Sequence, residues 1–116
     1  GDFNIAPDER DLYDPEGWRG KVHFHPEEHA ALGRIQAWGL ADLFRAHEDG
    51  AGMYSWWDYR QLAFPKNRGL RIDLILGTAS AAERCQGVLV ERNERKGKKP
   101  SDHAPVTAFL DEPAAL

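Results

Sequence analysis

One cysteine, Cys85, stands among 116 residues. A lone thiol excludes an internal disulfide and a cysteine-based zinc site, which fits a reducing, cytoplasmic setting. Oxygen and imidazole remain as the metal ligands on offer. Long apolar runs are missing too. No uninterrupted stretch approaches the ~18 residues that a membrane-spanning helix needs, and Gly1 to Arg10 lacks the basic-then-apolar layout of a secretory signal. A strong charge of one sign is also absent. Nineteen acidic against fifteen basic residues leave a formal net charge of −4, so attraction to nucleic acid has to be local. Methionine occurs once, at Met53, and the sequence opens on Gly-Asp-Phe-Asn-Ile. The expectation from that opening is a stretch of a longer protein.

What is present suits one small packed domain or part of a larger one. Apolar residues make up 41% and charged residues 29%, a balance that argues against extensive disorder. The densest basic stretch gathers Arg92, Arg95, Lys96, Lys98 and Lys99 around Gly97, just before Pro100. On its own it reads as a solvated loop between two strands.

Asp2, Phe3, Asn4 and Ile5 alternate polar and apolar, which predicts a short strand ended by Pro7 with Asp2 and Asn4 on one face. Ala6 to His25 reads as a long loop pinned by Trp18 and Phe24. Pro26, Glu27 and Glu28 open a helix whose apolar stripe is Ala31, Leu32, Ile35 and Trp38, stopped by Gly39. Leu40 to Arg45 has no decisive period, and His47 to Gly52 is a polar turn. Strands are expected over Tyr54 to Arg60, Leu70 to Leu76, Val88 to Arg92 and Ala104 to Leu110. In the second of these, Ile72, Leu74 and Leu76 form one face, with Arg71, Asp73 and Ile75 on the reverse. Ser80 with Glu83 gives a capping-box signal for a helix ending near Gly87. Strands and helices without strict alternation point to an α+β fold.

Three segments put acidic, amide or imidazole groups at strand ends: Asp2 with Asn4, then Asp73, then Asp102 with His103. Carboxylates and an amide oxygen suit a hard divalent cation such as magnesium. The same set can run hydrolysis at phosphorus. One carboxylate deprotonates a water, an amide orients it, and an imidazolium with the metal offsets the transition-state charge. Asp73 beside His103 favours the charged ring. A decoy lies elsewhere: His25, Glu28 and His29 form His-x-x-Glu-His, an inverted zinc-peptidase arrangement. Pro26 marks the first helical turn, so His25 sits outside the helix as its cap and does not share a face with His29.

Four stretches in this order, Gly-Asp-Phe-Asn-Ile-Ala-Pro, Tyr-Ser-Trp-Trp-Asp-Tyr-Arg, Asn-Arg-Gly-Leu-Arg-Ile-Asp and Lys-Pro-Ser-Asp-His-Ala-Pro-Val, carry a resemblance across nearly the whole chain. They resemble the C-terminal half of the abasic-site endonucleases of the exodeoxyribonuclease III family, within the wider endonuclease, exonuclease and phosphatase superfamily. The resemblance implies that residues 1–116 form part of a four-layer α/β/β/α sandwich with two packed, mostly antiparallel sheets. The implied activity is incision 5′ to abasic sites in double-stranded DNA and 3′ to 5′ trimming or cleaning of 3′ ends, with magnesium, or manganese in its place, as cofactor.

Carried over position by position, Asp2 activates the attacking water or protonates the leaving group, and Asn4 orients the nucleophile and contacts phosphate or metal. Asp73 orients His103, His103 contacts the scissile phosphate, and Asp102 helps hold the metal. The implied catalytic group is Asp2, Asn4, Asp73 and His103, and the implied metal group is Asp2, Asn4, Asp102 and His103. Trp56, Leu70 and Ile72 match positions that wall a pocket for a sugar lacking its base. The family's principal metal-binding glutamate, a first asparagine and a catalytic tyrosine belong to its N-terminal half, which this sequence does not contain. A half-sandwich leaves one apolar sheet face uncovered, so the expectation is either an excised fragment or a stretch that covers that face by self-association, with the complete protein a monomer. Two alternatives accompany this reading: another superfamily phosphodiesterase or phosphatase, and a catalytically silent binding or assembly module.

Overall fold

The helix starts follow from local chemistry. In the computed structural model, which describes residues 1–112, the Asp8 side chain caps a 3₁₀ turn over Glu9–Asp11. Asp14 accepts from the Gly17 amide at the start of α1 (Pro15–Trp18). Helix α2 (Pro26–Gln36) opens with a reciprocal cap. His25 Nδ1 accepts from the Glu27 amide at 3.1 Å, and the Glu28 carboxylate accepts from the His25 amide at 3.1 Å. Of this helix only Leu32 is buried, and Trp38 just beyond it is 90% exposed. Helix α3 (Leu43–His47) is capped by Asp42, and α4 (Ala79–Arg84) by Thr78.

Among the described residues six strands, β1 (Ala41–Asp42), β2 (Trp56–Trp57), β3 (Gly69–Leu70), β4 (Leu76–Gly77), β5 (Cys85–Val90) and β6 (Val106–Leu110), make three antiparallel pairs: β1 with β4, β2 with β3, and β5 with β6. Isolated bridges widen the middle pair on both sides. Leu12 pairs with Leu70, Leu70 with Trp56, and Trp56 with His103, while Asp2 pairs with Asp73. Four distant stretches thus lie side by side, and Asp2 joins the Leu70 stretch further along, at Asp73. The body is a slab of 53 × 35 × 21 Å, about two layers deep at ~10 Å per layer. The expected α+β class holds.

The core has two clusters. Ala6, Leu12, Phe24, Leu70 and Ile72 form one, with Trp18 and Trp56 packed on it, so Trp18 and Phe24 do anchor the long loop. Tyr54, Trp57, Ala63 and Ala104 form the other, with Phe64 and Val90. Leu89 and Phe109, on the same face of the β5–β6 pair, are about half exposed at 49% and 52%.

Several local expectations are corrected. The Tyr54 to Arg60 strand contracts to Trp56–Trp57, because the Asp58 carboxylate accepts the Arg60 amide at 2.9 Å and turns the chain. Leu70 to Leu76 is no continuous strand but two short ones joined through the Asp2–Asp73 bridge, and Arg71 on its reverse is buried at 1% exposure. Asn4 has φ of 55° and donates its amide to Asp2 Oδ1 at 2.9 Å, so this stretch is a turn and the shared strand face of Asp2 and Asn4 does not exist. Helix α4 is capped by Thr78 rather than Ser80 and ends at Arg84, where β5 begins, so the next strand runs over Cys85–Val90 and leaves Arg92 outside it. The last strand starts at Val106, not Ala104.

The basic stretch is only partly a solvated loop. Arg92–Arg95 forms a 3₁₀ turn that aims two guanidinium groups inward. Arg95 donates to the Trp57 carbonyl at 3.0 Å, Arg92 donates to the Phe64 carbonyl at 2.9 Å, and Arg92 lies 4.1 Å from the Phe64 ring centroid. Lys96, Lys98 and Lys99 remain exposed.

Candidate active site

The stretch Asn67 to Asp73 shows how sequence becomes site. The Asn67 carboxamide accepts from Trp57 Nε1 and donates to the Gly52 carbonyl, both at 3.1 Å. Gly69 lies directly against Trp57, where a Cβ would come within 2.6 Å of the indole nitrogen. Leu70 and Ile72 enter the first core cluster. Arg71 is gripped by Asp11 (Nε to Oδ1, 2.7 Å) and, through two nitrogens, by Asp42 (3.1 and 2.5 Å). Arg45 donates to the same Asp11 Oδ1 at 2.7 Å, and the Arg71 guanidinium sits 4.7 Å from the Phe44 ring centroid. With this stretch fixed on both faces, Asp73 emerges at the slab edge.

At that edge Asp73 Oδ2 lies 2.8 Å from Nδ1 of His103. The other ring nitrogen, Nε2, is 3.7 Å from Asp2 Oδ2 and 3.9 Å from Asp102 Oδ1. The second oxygen of Asp102 accepts from Trp56 Nε1 at 3.0 Å. Four of the expected residues, Asp2, Asp73, Asp102 and His103, therefore converge from three separated segments. Partial burial opposes charge on His103, but the hydrogen bond to Asp73 and the charges of Asp73, Asp2 and Asp102 together outweigh it. The ring is held above its ordinary pKa.

Ligand atoms of Asp2, Asp73 and His103 all lie within 4.8 Å of one another. The surface carboxylate oxygens suit a hard divalent cation keeping some of its water, whereas the His103 ring, once protonated, has no lone pair to offer it. By contrast, the imidazoles of the His-x-x-Glu-His stretch are engaged in the fold. His25 caps α2, and His29 Nε2 lies 2.9 Å from the Ala6 carbonyl oxygen.

Asn4 adjoins the cluster through its backbone bond to Asp2, and its carboxamide enters none of the cluster's hydrogen bonds among the described residues. Trp56 borders the cluster and is partly exposed, whereas Leu70 and Ile72 lie beneath it at 0% and 2% exposure. A recess beside Trp56 is lined by Trp18, Tyr13, Arg60 and Arg68.

Sequence reasoning missed Ser55, Asp11 and His23. The His23 ring lies between Trp18 and Trp56, with centroids 5.7 and 6.3 Å away, and its Nδ1 is 2.8 Å from the Asn4 carbonyl oxygen. Its backbone is left-handed, with φ of 78°. A histidine standing between Val22 and Phe24 in a loop carries no local signal of such a place.

An α+β slab with three carboxylates around one histidine at a strand edge defines a class. Residues 1–103 match the family model described as Endonuclease/Exonuclease/phosphatase family, and the chain belongs to that family. Among curated relatives, exodeoxyribonuclease III of Haemophilus influenzae is 44% identical over 115 residues, covering 93% of this chain and 43% of that protein. The DNA repair nuclease APEX1 of Danio rerio is 38% identical over 112 residues, covering 95% of this chain and 34% of its own. A 3′ phosphatase from Neisseria, solved bound to product DNA hairpin, superposes with a TM-score of 0.94 at 41% identity over 97% of this chain and 44% of that one. An AP endonuclease from Archaeoglobus fulgidus superposes with a TM-score of 0.92 at 34% identity, again over 97% and 44%. The fold is thus that of the abasic-site endonuclease sandwich, and the chain spans less than half the length of these relatives.

Proposed function

We propose that residues 1–116 form the C-terminal part of a DNA repair nuclease domain that hydrolyses phosphodiester bonds 5′ to abasic sites and trims or cleans 3′ ends. The reading rests on the convergence of Asp2, Asp73 and Asp102 on His103, with Nδ1 2.8 Å from Asp73 and Nε2 facing the other two carboxylates. The names of the relatives, nucleases and a 3′ phosphatase acting on DNA, support it.

In this reading Asp73 holds His103 in a charged, fixed orientation, and Nε2 donates to a phosphate oxygen. Asp2 either takes a proton from the attacking water as the new bond to phosphorus forms or gives one to the leaving oxygen as the old bond breaks, the proton at the other end of the in-line displacement being exchanged with solvent water. Asn4, adjacent to Asp2, orients the water or the phosphate. Asp102 and Asp2 are the carboxylates on hand for magnesium, which when bound offsets charge on the phosphate. Trp56, backed by Leu70 and Ile72, faces the sugar. A cytoplasmic location beside chromosomal DNA goes with this role.

Incision of a duplex containing one abasic site, by the complete protein with added Mg²⁺, tests the reading with Asp102→Ala and His103→Ala alongside. Loss of rate in both variants and on chelation is expected, and unchanged rates in both would remove the site assignment. A second reading, hydrolysis of a phosphomonoester at a 3′ end, is favoured by the likeness to the Neisseria 3′ phosphatase. Comparing release of phosphate from a 3′-phosphorylated strand with abasic-site incision separates the two.

A further inference from the structure

We infer that Ser55 is a positioning residue that sets the Asp73–His103 pair from a single buried point. Its side chain and its backbone each hold one side of the pair. Ser55 Oγ accepts the backbone amides of Ile72 and Asp73, both at 3.1 Å. The Ser55 carbonyl accepts the amide of Ala104, next to His103, at 2.7 Å. Its own amide donates to the Leu70 carbonyl at 2.9 Å. Ser55 is 0% exposed, so no water stands ready to replace it.

The chemistry explains why a hydroxyl sits there. Strand β3 ends at Leu70, and the chain leaves ladder geometry before reaching Asp73. The amides of Ile72 and Asp73 both turn toward β2 where no strand carbonyl meets them. A hydroxyl oxygen has two lone pairs and can accept both, whereas a methyl group in its place leaves two buried donors unpaired. On the opposite side the Ile72 carbonyl accepts from Phe3, and the Leu74 amide donates to Gly1, so Asp2 hangs on the same stretch. Loss of the Oγ acceptor frees the Asp73 main chain to move away from Ser55. The Ser55–Ala104 backbone link keeps the His103 loop where it is. The two halves of a 2.8 Å contact are then held independently, and a misplacement of about 1 Å in such a pair can cost on the order of a hundredfold in rate.

The inference rests on Asp73 and His103 serving hydrolysis, and the test separates the two. In the complete protein with Mg²⁺, initial rates on an abasic-site duplex are measured for wild type, His103→Ala, Ser55→Ala and Ser55→Thr, with folding followed by circular dichroism. Ser55→Ala is expected to lower kcat tenfold or more with KM within about threefold, and Ser55→Thr, which keeps the acceptor, to recover most of that loss. In Asp73→Asn the further change Ser55→Ala is expected to cost less than twofold, because the group it positions is already disabled. If His103→Ala keeps full rate, the functional reading fails. If His103→Ala is impaired while folded Ser55→Ala keeps kcat within twofold, the role of Ser55 alone is overturned. Should Ser55→Ala not fold, Ser55→Cys fills the same space with a poor acceptor. A loss of kcat in that variant supports the inference, and wild-type kcat overturns it.

Discussion

Oδ2 of Asp73 lies 2.8 Å from Nδ1 of His103 across a sequence separation of thirty residues. Neither side chain is fully buried, with 16% and 30% of their surface exposed, so the pair is both held and reachable. Asp73 is carried on the stretch locked by Arg71 and Ser55, and His103 on a loop bridged to Trp56. The contact therefore reports the packing of most of the slab.

Asp73→Asn keeps the shape of that contact and removes its charge. We expect abasic-site incision by the complete protein to fall by about 10²–10⁴-fold, and the His103 ring to titrate at lower pH, read from its imidazole resonances. An unchanged rate assigns Asp73 to the scaffold alone.

The pH dependence of stability has a definite sign. His103 is held above its ordinary value of 6.5, so it binds its proton more tightly folded than unfolded. Its contribution is complete below about pH 6.5 and is lost as pH rises through the folded pKa. Urea midpoints of chelator-treated protein should decline over that window, and His103→Gln should flatten the decline. A midpoint that rises through the window contradicts the assignment.

Arg71→Leu should be among the most damaging single changes in the chain. It leaves Asp42 without its two guanidinium contacts and Asp11 with Arg45 alone. Removing one partner of a buried ion network costs about 3–5 kcal/mol, measurable by denaturant unfolding. A loss below ~1 kcal/mol would mean that water reaches the carboxylates.

Gly69→Ala tests a close approach. The added Cβ would stand 2.6 Å from Trp57 Nε1 and 2.8 Å from the Trp56 carbonyl oxygen. Because that oxygen belongs to the paired strand, relief requires the β2–β3 pair to open, at a cost of about 1–3 kcal/mol. Thermal unfolding measures it, with Gly33→Ala as a helical control that meets nothing within 4 Å.

The half-exposed Leu89 and Phe109 share one sheet face. Sedimentation velocity on the 116-residue chain is expected to show association rising with concentration, weakened in Leu89→Ser/Phe109→Ser. A monomer at all concentrations would disprove self-association through that face.

Helix α2 was readable because its signals are local: Pro26, the acidic first turn and the His25 cap all act within one turn of each other. Asp2, Asp73, Asp102 and His103 could be picked out as residue types at segment ends. The strand boundaries were not readable, since the Asp2 and Asp58 carboxylates capture the backbone amides of Asn4 and Arg60, which a period-two pattern assigns to a ladder. Arg92 and Arg95 read as part of a solvated loop and Arg71 only as the reverse of a strand, yet Arg71 and Arg95 are buried and Arg92 partly so, each donating to a partner far along the chain.

The sequence by itself determined the chemistry on offer: three aspartates, an asparagine and a histidine at turn positions, and ordered motifs of one nuclease family. Tertiary structure alone decided that four of those groups meet at one edge, that Arg71 is buried, and that Ser55 links the two sides of the Asp73–His103 pair. The reason is physical. Residue type sets which bonds a group can make, but a bond over thirty or sixty residues forms only where the packed core has already placed both ends within reach.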